Sequence, residues 1–202
     1  SVTFIGTVSP AGGNLKEPVT ESTKKAARCF YALSQNRADS KRYPAIDTLD
    51  SYSKYLEYPE FIDFAKEKLD ENWVELVNEA RNTLIKGKEM EEQINILGDD
   101  SVPISYHIDL WRSEFIDFVI LQQDAFDKID ATTSLERQEY MLKKVIGVTR
   151  STLRFENFEE VAIYFKRLIN AFRQMNYTIF KSEEFHKAEE EANAVLEERF
   201  VK

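Results

Sequence analysis

Apolar residues recur at intervals of three and four through most of the chain after Glu60, the spacing of one buried helix face. The clearest stripe consists of Val161, Phe165, Leu168, Phe172 and Met175. Two earlier stripes consist of Leu69, Trp73, Leu76, Val77, Ala80 and Leu84, and of Ile104, Ile108, Trp111, Phe115 and Val119. Together these stripes predict a mainly α-helical bundle.

Polar residues suggest where several of these helices begin. Thr133 with Glu136, and Asn157 with Glu160, have the spacing of a capping box. Gly87 is expected to bend or interrupt the helix of the first stripe. A charged final helix is predicted from Ser182, with a thin apolar edge of Phe185, Ala188, Ala192 and Leu196.

A short acidic turn separates the two central helices. It consists of Gly98, Asp99, Asp100 and Ser101, and Pro103 suits the first turn of the helix that follows. Two long helices joined in this way form a hairpin whose tip projects into solvent. We expect this tip to contact another protein.

The first residues have a different pattern from the rest. Residues 1–9, SVTFIGTVS, are mostly β-branched or apolar and predict a buried strand. No second convincing strand follows, so this strand is expected to pair with a sheet supplied from elsewhere, or to lie frayed. Because Ser1 is not Met, we also expect that the chain begins inside a longer product or was processed. A loop with two glycines follows, and a helix is predicted from Thr20.

Composition narrows the class of protein. Apolar residues make up 43% of the 202 positions and charged residues 31%, which is typical of a globular protein. The net charge of −9 argues against direct binding of nucleic acid. No apolar run is long enough to predict insertion into a membrane. Cys29 is the only cysteine, so an internal disulfide is excluded.

Few residues suggest catalytic or metal chemistry. The sequence contains no Gly-x-x-x-x-Gly-Lys-Ser/Thr phosphate loop. His107 and His186 are far apart and lack a ligand motif, so both are interpreted as helix-surface or boundary residues rather than metal ligands. We therefore assign no catalytic residue and no metal ligand. Pattern and composition alone leave a helical domain of unknown purpose.

Three segments carry a resemblance to a known family. They are residues 1–20 (SVTFIGTVSPAGGNLKEPVT), 42–53 (RYPAIDTLDSYS) and 121–127 (LQQDAFD). In order and separation they resemble the C-terminal region of the catalytic A, or alpha, subunit of V/A-type rotary ATPases. The second segment is also similar to a Tyr-Pro-Ala-Ile stretch of the β subunit of F-type ATP synthases. The resemblance covers essentially the whole chain.

The resemblance implies an adenine-binding role for the second and third segments. Tyr43 would form one wall of the adenine site and Phe126 the other, with Gln123 and Ala125 lining the same pocket. Flat aromatic rings suit a purine because stacking adds to the burial of area. Without the resemblance, Tyr43 is better interpreted as packing in a turn and Phe126 as a core anchor at a helix break.

The resemblance also implies partners and a division of the chain. Residues 1–50 would end the nucleotide-binding domain, and residues 51–202 would form the C-terminal helical domain. The complete subunit would bind ATP or ADP with Mg²⁺, alternate with B subunits in a hexamer, and drive proton or sodium transport from the cytoplasmic face of a membrane. Gly98, Asp99, Asp100 and Ser101 would meet the central rotor stalk. The chain alone is expected to hydrolyse no ATP and to carry no bound cofactor.

A different interpretation stays open at this point. The chain would also suit a non-enzymatic helical interaction module in a cytosolic assembly, using its acidic tip and its charged final helix. A phosphate loop encoded upstream of Ser1 would favour the ATPase, and a start codon there would favour the interaction module.

Overall fold

In the computed structural model, which describes residues 2–199, eight α-helices make up most of the chain. They are α1 Pro18–Ala26, α2 Gln35–Asp39, α3 Pro59–Lys68, α4 Trp73–Leu97, α5 Ile104–Ile116, α6 Leu135–Arg150, α7 Phe158–Asn176 and α8 Glu183–Glu197. The strands β1 Cys29–Phe30 and β2 Tyr52–Ser53 pair antiparallel, with Cys29 opposite Ser53 and Phe30 opposite Tyr52. A π-helical turn, Asp117–Leu121, continues α5. The predicted mainly α fold is confirmed.

Helix α7 lies at the centre of the hydrophobic core, in contact with α5 and α8. All five residues of its predicted stripe are at most 1% exposed. The ring of Phe172 meets that of Phe115 on α5 edge to face, with 4.9 Å between their centroids. Such pairs stabilise a core beyond the area they bury, so α5 and α7 are held in one fixed arrangement.

Helix α4, the longest of the helices described, packs against α5 to form a helical hairpin. Helix α4 runs through Gly87 without a break, so the predicted interruption is wrong. The reason for glycine is close packing: a Cβ at position 87 would lie 2.0 Å from Cβ of Ser113 on α5. Leu69, predicted in the same stripe, instead follows the end of α3.

Helix starts follow their predicted caps with one exception. The Asn157 side chain accepts a hydrogen bond from the N–H of Glu160, as expected for α7. At α6 the cap is Ser134, whose hydroxyl accepts from the N–H of Arg137, and the capping box predicted at Thr133 is wrong. The hydroxyl of Thr133 is instead in contact with Gln123 in the preceding loop.

Residues 2–9 form no strand in this chain, so of the two expected alternatives the segment lies frayed here, and Ser1 lies outside the described residues. Val2, Phe4 and Ile5 are 98%, 92% and 87% exposed. A strand needs a neighbour for its backbone N–H and C=O groups, and residues 2–199 supply none to this segment.

Candidate functional site

The structure brings the two aromatic-bearing motifs together. The backbone N–H of Gln123 donates a hydrogen bond to the backbone carbonyl of Tyr43, with 3.0 Å between nitrogen and oxygen. The two residues are 80 positions apart in the sequence, so this bond joins distant segments. It places the loop that carries Phe126 beside the segment that carries Tyr43.

Both predicted adenine-binding rings face solvent. The side chain of Tyr43 is 54% exposed and that of Phe126 is 99% exposed. Neither ring stacks on another aromatic ring within residues 2–199. The interpretation of Phe126 as a core anchor is therefore wrong, because a core anchor would be buried.

Short-range hydrogen bonds hold the loop between the π-helical turn and α6. The carboxylate of Asp124 accepts from the N–H of Phe126 at 2.9 Å, and that of Asp127 accepts from the N–H of Asp130 at 2.8 Å. Asp130 in turn accepts from the N–H of Asp124 at 2.7 Å. Burial raises the pKa of Asp130, although this hydrogen bond opposes the shift. The aspartates of the loop thus fix its backbone by hydrogen bonds, and the side chain of Phe126 lies outside the hydrophobic core.

The other two predicted residues of the adenine site have different surroundings. The amide of Gln123 donates to the carbonyl of Asp130 at 3.1 Å and to the hydroxyl of Thr133 at 3.3 Å. Its side chain is therefore engaged within the loop. Ala125 is exposed next to Phe126.

A π-helical turn places this loop at the end of α5. The N–H of Gln122 donates to the carbonyl of Asp117, five residues earlier, at 3.0 Å. The buried amide of Asn176 donates to the carbonyl of Val119 at 2.8 Å, which satisfies an acceptor inside the turn. Such π-helical turns often occur at functional sites, and the sequence pattern contains no sign of this one.

A cluster of four charged residues supports the same region and was not predicted. We call it the ion-pair cluster; it consists of Arg37, Arg42, Glu114 and Asp117. Arg42 binds Glu114 through two nitrogens, at 2.9 and 2.7 Å, and Asp117 through one, at 2.9 Å. Its guanidinium also lies over the ring of Phe118, 4.7 Å from the centroid. The partners are more than 70 positions apart, so no local spacing reveals them.

A cleft of about 890 Å³ separates the segment around β2 from α4, α6 and the π-helical turn. Its wall includes Gln123, but not Tyr43, Ala125 or Phe126. The two aromatic rings therefore do not share this cavity.

The tip of the hairpin is both acidic and apolar. Asp99 and Asp100 are exposed, and Ile96 and Leu97 beside them are 76% and 52% exposed. His107 steadies the tip from below: its Nε2 lies 3.2 Å from the carbonyl oxygen of Asp99. The tip thus presents acidic and apolar side chains to solvent, and the contact with His107 holds its backbone to α5.

The two histidines have different surroundings. His107 is 4% exposed and stacks on Phe158, so its prediction as a surface or boundary residue is wrong. It is buried because α5 and the start of α7 enclose it. His186 is exposed, as predicted. Within residues 2–199, no group of three or more His, Cys, Asp or Glu side chains is arranged to hold a metal ion.

None of the helices in residues 2–199 has both the length and the apolar content needed to cross a membrane.

Comparison with known proteins identifies the family. Residues 1–53 match the nucleotide-binding domain of the ATP synthase alpha/beta family, and residues 63–161 match the C-terminal domain of V and A type ATP synthase. The V-type ATP synthase alpha chain of Borrelia duttonii is 38% identical over 94% of this chain and 31% of its own length. The chain belongs to the V-type ATP synthase alpha chain family. It carries the C-terminal helical domain of that subunit.

Other relatives agree with this assignment. The V-type ATP synthase alpha chain of Protochlamydia amoebophila is 34% identical over 98% of this chain and 33% of its own length. This chain thus spans about a third of the length of the curated relatives it matches. A solved ATP synthase subunit, NeqB from Nanoarcheaum equitans, shares the fold, with a TM-score of 0.50 and 19% identity over 70% of this chain and 33% of its own.

Proposed function

We propose that this chain supplies the adenine-side wall and the rotor-contacting lever of a V/A-type rotary ATPase. The complete catalytic subunit would bind ATP or ADP with Mg²⁺ and would couple its hydrolysis or synthesis to proton or sodium transport. The phosphate loop would come from the preceding part of the subunit, and an arginine from the neighbouring B subunit. By itself the chain is expected to have no ATPase activity. It would act at the cytoplasmic face of the membrane as a peripheral component.

One observation carries the adenine proposal: the hydrogen bond from Gln123 to the carbonyl of Tyr43. It fixes two segments that each present an exposed aromatic ring next to the contact. Exposed rings are available to stack on a ligand, and a purine offers two flat faces for such stacking. Tyr43 and Phe126 would therefore cover the adenine from two sides, with Ala125 leaving room between the loop and the ring. Gln123 would act through its backbone and through its bonds within the loop.

The aspartate-rich loop explains how Phe126 would be ready for a ligand. Hydrogen bonds to the backbone of the loop keep the Phe126 ring outside the core. The ring therefore need not leave the core before it stacks on a ligand. Less conformational freedom is then lost on binding, which favours affinity. Base stacking on an aromatic side chain contributes about 1–3 kcal/mol. Each ring is thus expected to strengthen ATP binding by roughly five- to a hundredfold.

The test uses the complete subunit in its assembled ATPase. Tyr43→Ala and Phe126→Ala should each raise KM for ATP about five- to a hundredfold, while Tyr43→Phe and Phe126→Tyr should stay near wild type because they keep the flat ring. Phe64→Ala is the matched control, since Phe64 is a partly exposed aromatic residue on α3. Unchanged KM in both alanine variants would refute the adenine proposal.

The lever proposal rests on the tip of the hairpin. Gly98, Asp99, Asp100 and Ser101 would meet the central rotor stalk, and the exposed side chains of Ile96 and Leu97 add apolar area to that contact. Alternating B subunits would flank the subunit. Membership of the ATP synthase family favours this role over that of a non-enzymatic helical module. We retain residues 1–50 and 51–202 as the proposed division between domains.

A further inference from the structure

The ion-pair cluster links the two aromatic-bearing segments through one buried carboxylate. Asp117 is 4% exposed, and its two oxygens face different arginines. Arg42 Nη1 lies 2.9 Å from Oδ2, and Arg37 Nη1 lies 2.8 Å from Oδ1. The second contact is close but poorly aligned, and Oδ1 has no well-directed hydrogen-bond donor within the described residues. Asp117 therefore depends on both arginines to offset its burial.

Two members of the cluster stand next to parts of the proposed adenine site. Arg42 immediately precedes Tyr43. Asp117 begins the π-helical turn that ends at Leu121, just before Gln123 and Phe126. A displacement of Arg42 against Asp117 would thus change the distance between the two rings.

The same cluster is attached to the hairpin. Glu114 lies on α5, where it binds both terminal nitrogens of Arg42. Helix α5 has 13 residues and extends from the acidic tip to the cluster, a distance of about 20 Å. Gly87 allows α4 to pack directly against Ser113, the neighbour of Glu114. The hairpin is therefore a stiff element with the tip at one end and the cluster at the other.

A polar cavity of about 290 Å³ borders the cluster on the side of α4. Its wall includes all four charged residues together with Ser113. The guanidinium groups thus have space to shift between Glu114 and Asp117 without displacing core side chains. Hydrogen bonding to Glu114 raises the pKa of Arg42 despite its burial, so this group stays charged while it shifts.

We propose that the ion-pair cluster is the joint that fixes the adenine-side segments to the α4–α5 hairpin. Through it, closure of Tyr43 and Phe126 on adenine moves the hairpin, and the hairpin in turn sets the spacing of the rings. Its members are positioning residues that touch no nucleotide. This inference rests on the adenine role proposed above and adds the residues that transmit it.

The experiment compares variants of the complete subunit in the assembled ATPase. Asp117→Asn removes the buried charge and keeps the size of the side chain. It should raise KM for ATP about two- to thirtyfold and reduce the ions transported per ATP hydrolysed. Arg150→Gln is the matched control, because Arg150 forms an exposed two-nitrogen pair with Glu79 at 2.8 and 2.5 Å elsewhere on the bundle. It should leave both quantities at wild-type values.

A double variant separates positioning from general stability. If Asp117 acts by placing Tyr43, then Tyr43→Ala should raise KM much less in the Asp117→Asn background than in wild type. Arg42→Lys provides a milder change, since it keeps the charge but loses the two-nitrogen contact with Glu114. Its KM should lie between those of wild type and Asp117→Asn. If Asp117→Asn prevents assembly, Arg42→Lys should still raise KM above the wild-type value.

The outcomes distinguish the joint from the adenine site. Wild-type KM and transport ratio in both Asp117→Asn and Arg42→Lys, together with a raised KM in Tyr43→Ala, would overturn the joint and support the adenine site. An unchanged KM in both Tyr43→Ala and Phe126→Ala would overturn the adenine role, and with it the inference that depends on it. Additive effects of Asp117→Asn and Tyr43→Ala would also overturn the joint.

Discussion

Replacing Gly87 by alanine tests how closely the two helices of the hairpin pack. In a solvated helix this change is favourable, because alanine has a higher helix propensity than glycine by about 1 kcal/mol. Here the new Cβ would lie 2.0 Å from Cβ and 2.5 Å from Oγ of Ser113. Real carbon atoms do not approach so closely, so α4 and α5 would have to separate.

The sign of the effect follows from comparing these two contributions. Overpacking a well-packed interior costs about 1–3 kcal/mol, and more where backbone must move. A contact between two helix Cβ atoms leaves the backbone as the group that shifts. After subtraction of the propensity gain, we expect Gly87→Ala to destabilise the fold by up to about 2 kcal/mol.

Gly147 supplies the matched control. It lies inside α6, it is exposed, and a Cβ there would meet nothing within 4 Å. Gly147→Ala should therefore stabilise the fold by about 0.5–1 kcal/mol. Free energies of unfolding would be measured by urea titration, with the fluorescence of Trp73 and Trp111 as the probe. Trp73 starts α4 and Trp111 lies on α5, so both report on the hairpin.

A second substitution in Ser113 tests the proposed cause. Ser113→Gly removes the atoms that collide, so Gly87→Ala should cost far less in that background than alone. The reasoning would be refuted if Gly87→Ala proved as stabilising as Gly147→Ala. It would also be refuted if the two changes at positions 87 and 113 were additive.

Two further predictions concern stability. Asn176→Ala should cost about 1–3 kcal/mol in a urea titration, because the carbonyl of Val119 loses its donor while remaining buried; no loss would contradict this. Burial favours a higher pKa for Glu189, but its hydrogen bonds to Lys144 and Tyr140 outweigh burial and hold the pKa below its usual range. The resulting stability is present above the pKa of the unfolded state and is lost as pH falls through the lower pKa of the folded state. Glu189→Gln should therefore reduce the loss of unfolding free energy between pH 7 and about pH 3.5, and the exposed neighbour variant Glu190→Gln should not; equal slopes in all three proteins would contradict the assignment.

Local patterns predicted the helices well. The stripe of α7 is complete because a helix buried on one side needs an apolar residue at every inward position. The cap at Asn157 is equally local, since the donor lies three residues away. Both features depend on spacing within a single element, which the sequence displays directly.

Contacts between distant segments were not predictable in this way. The pairing of Arg42 with Glu114 joins residues 72 positions apart, and many other carboxylates would have been suitable partners. The π-helical turn depends in part on Asn176, which comes from another helix. Gly87 was interpreted as a bend because a single sequence does not reveal which neighbour approaches it.

The residues of the proposed adenine site fall between these cases. Composition and spacing gave no reason to group Tyr43 with Phe126, and the family resemblance supplied the pairing. The structure adds the hydrogen bond between their segments and the exposure of both rings. We propose that adenine covers those rings in the complete subunit.

The most direct measurement is photolabelling of the complete subunit with an ATP analogue that carries an azido group on adenine. After illumination, peptides would be mapped by mass spectrometry, with excess ATP as the competitor. The proposal predicts ATP-protected labelling of Tyr43 or Phe126, and less labelling when either ring is replaced by alanine. ATP-protected label confined to peptides outside both segments would contradict it.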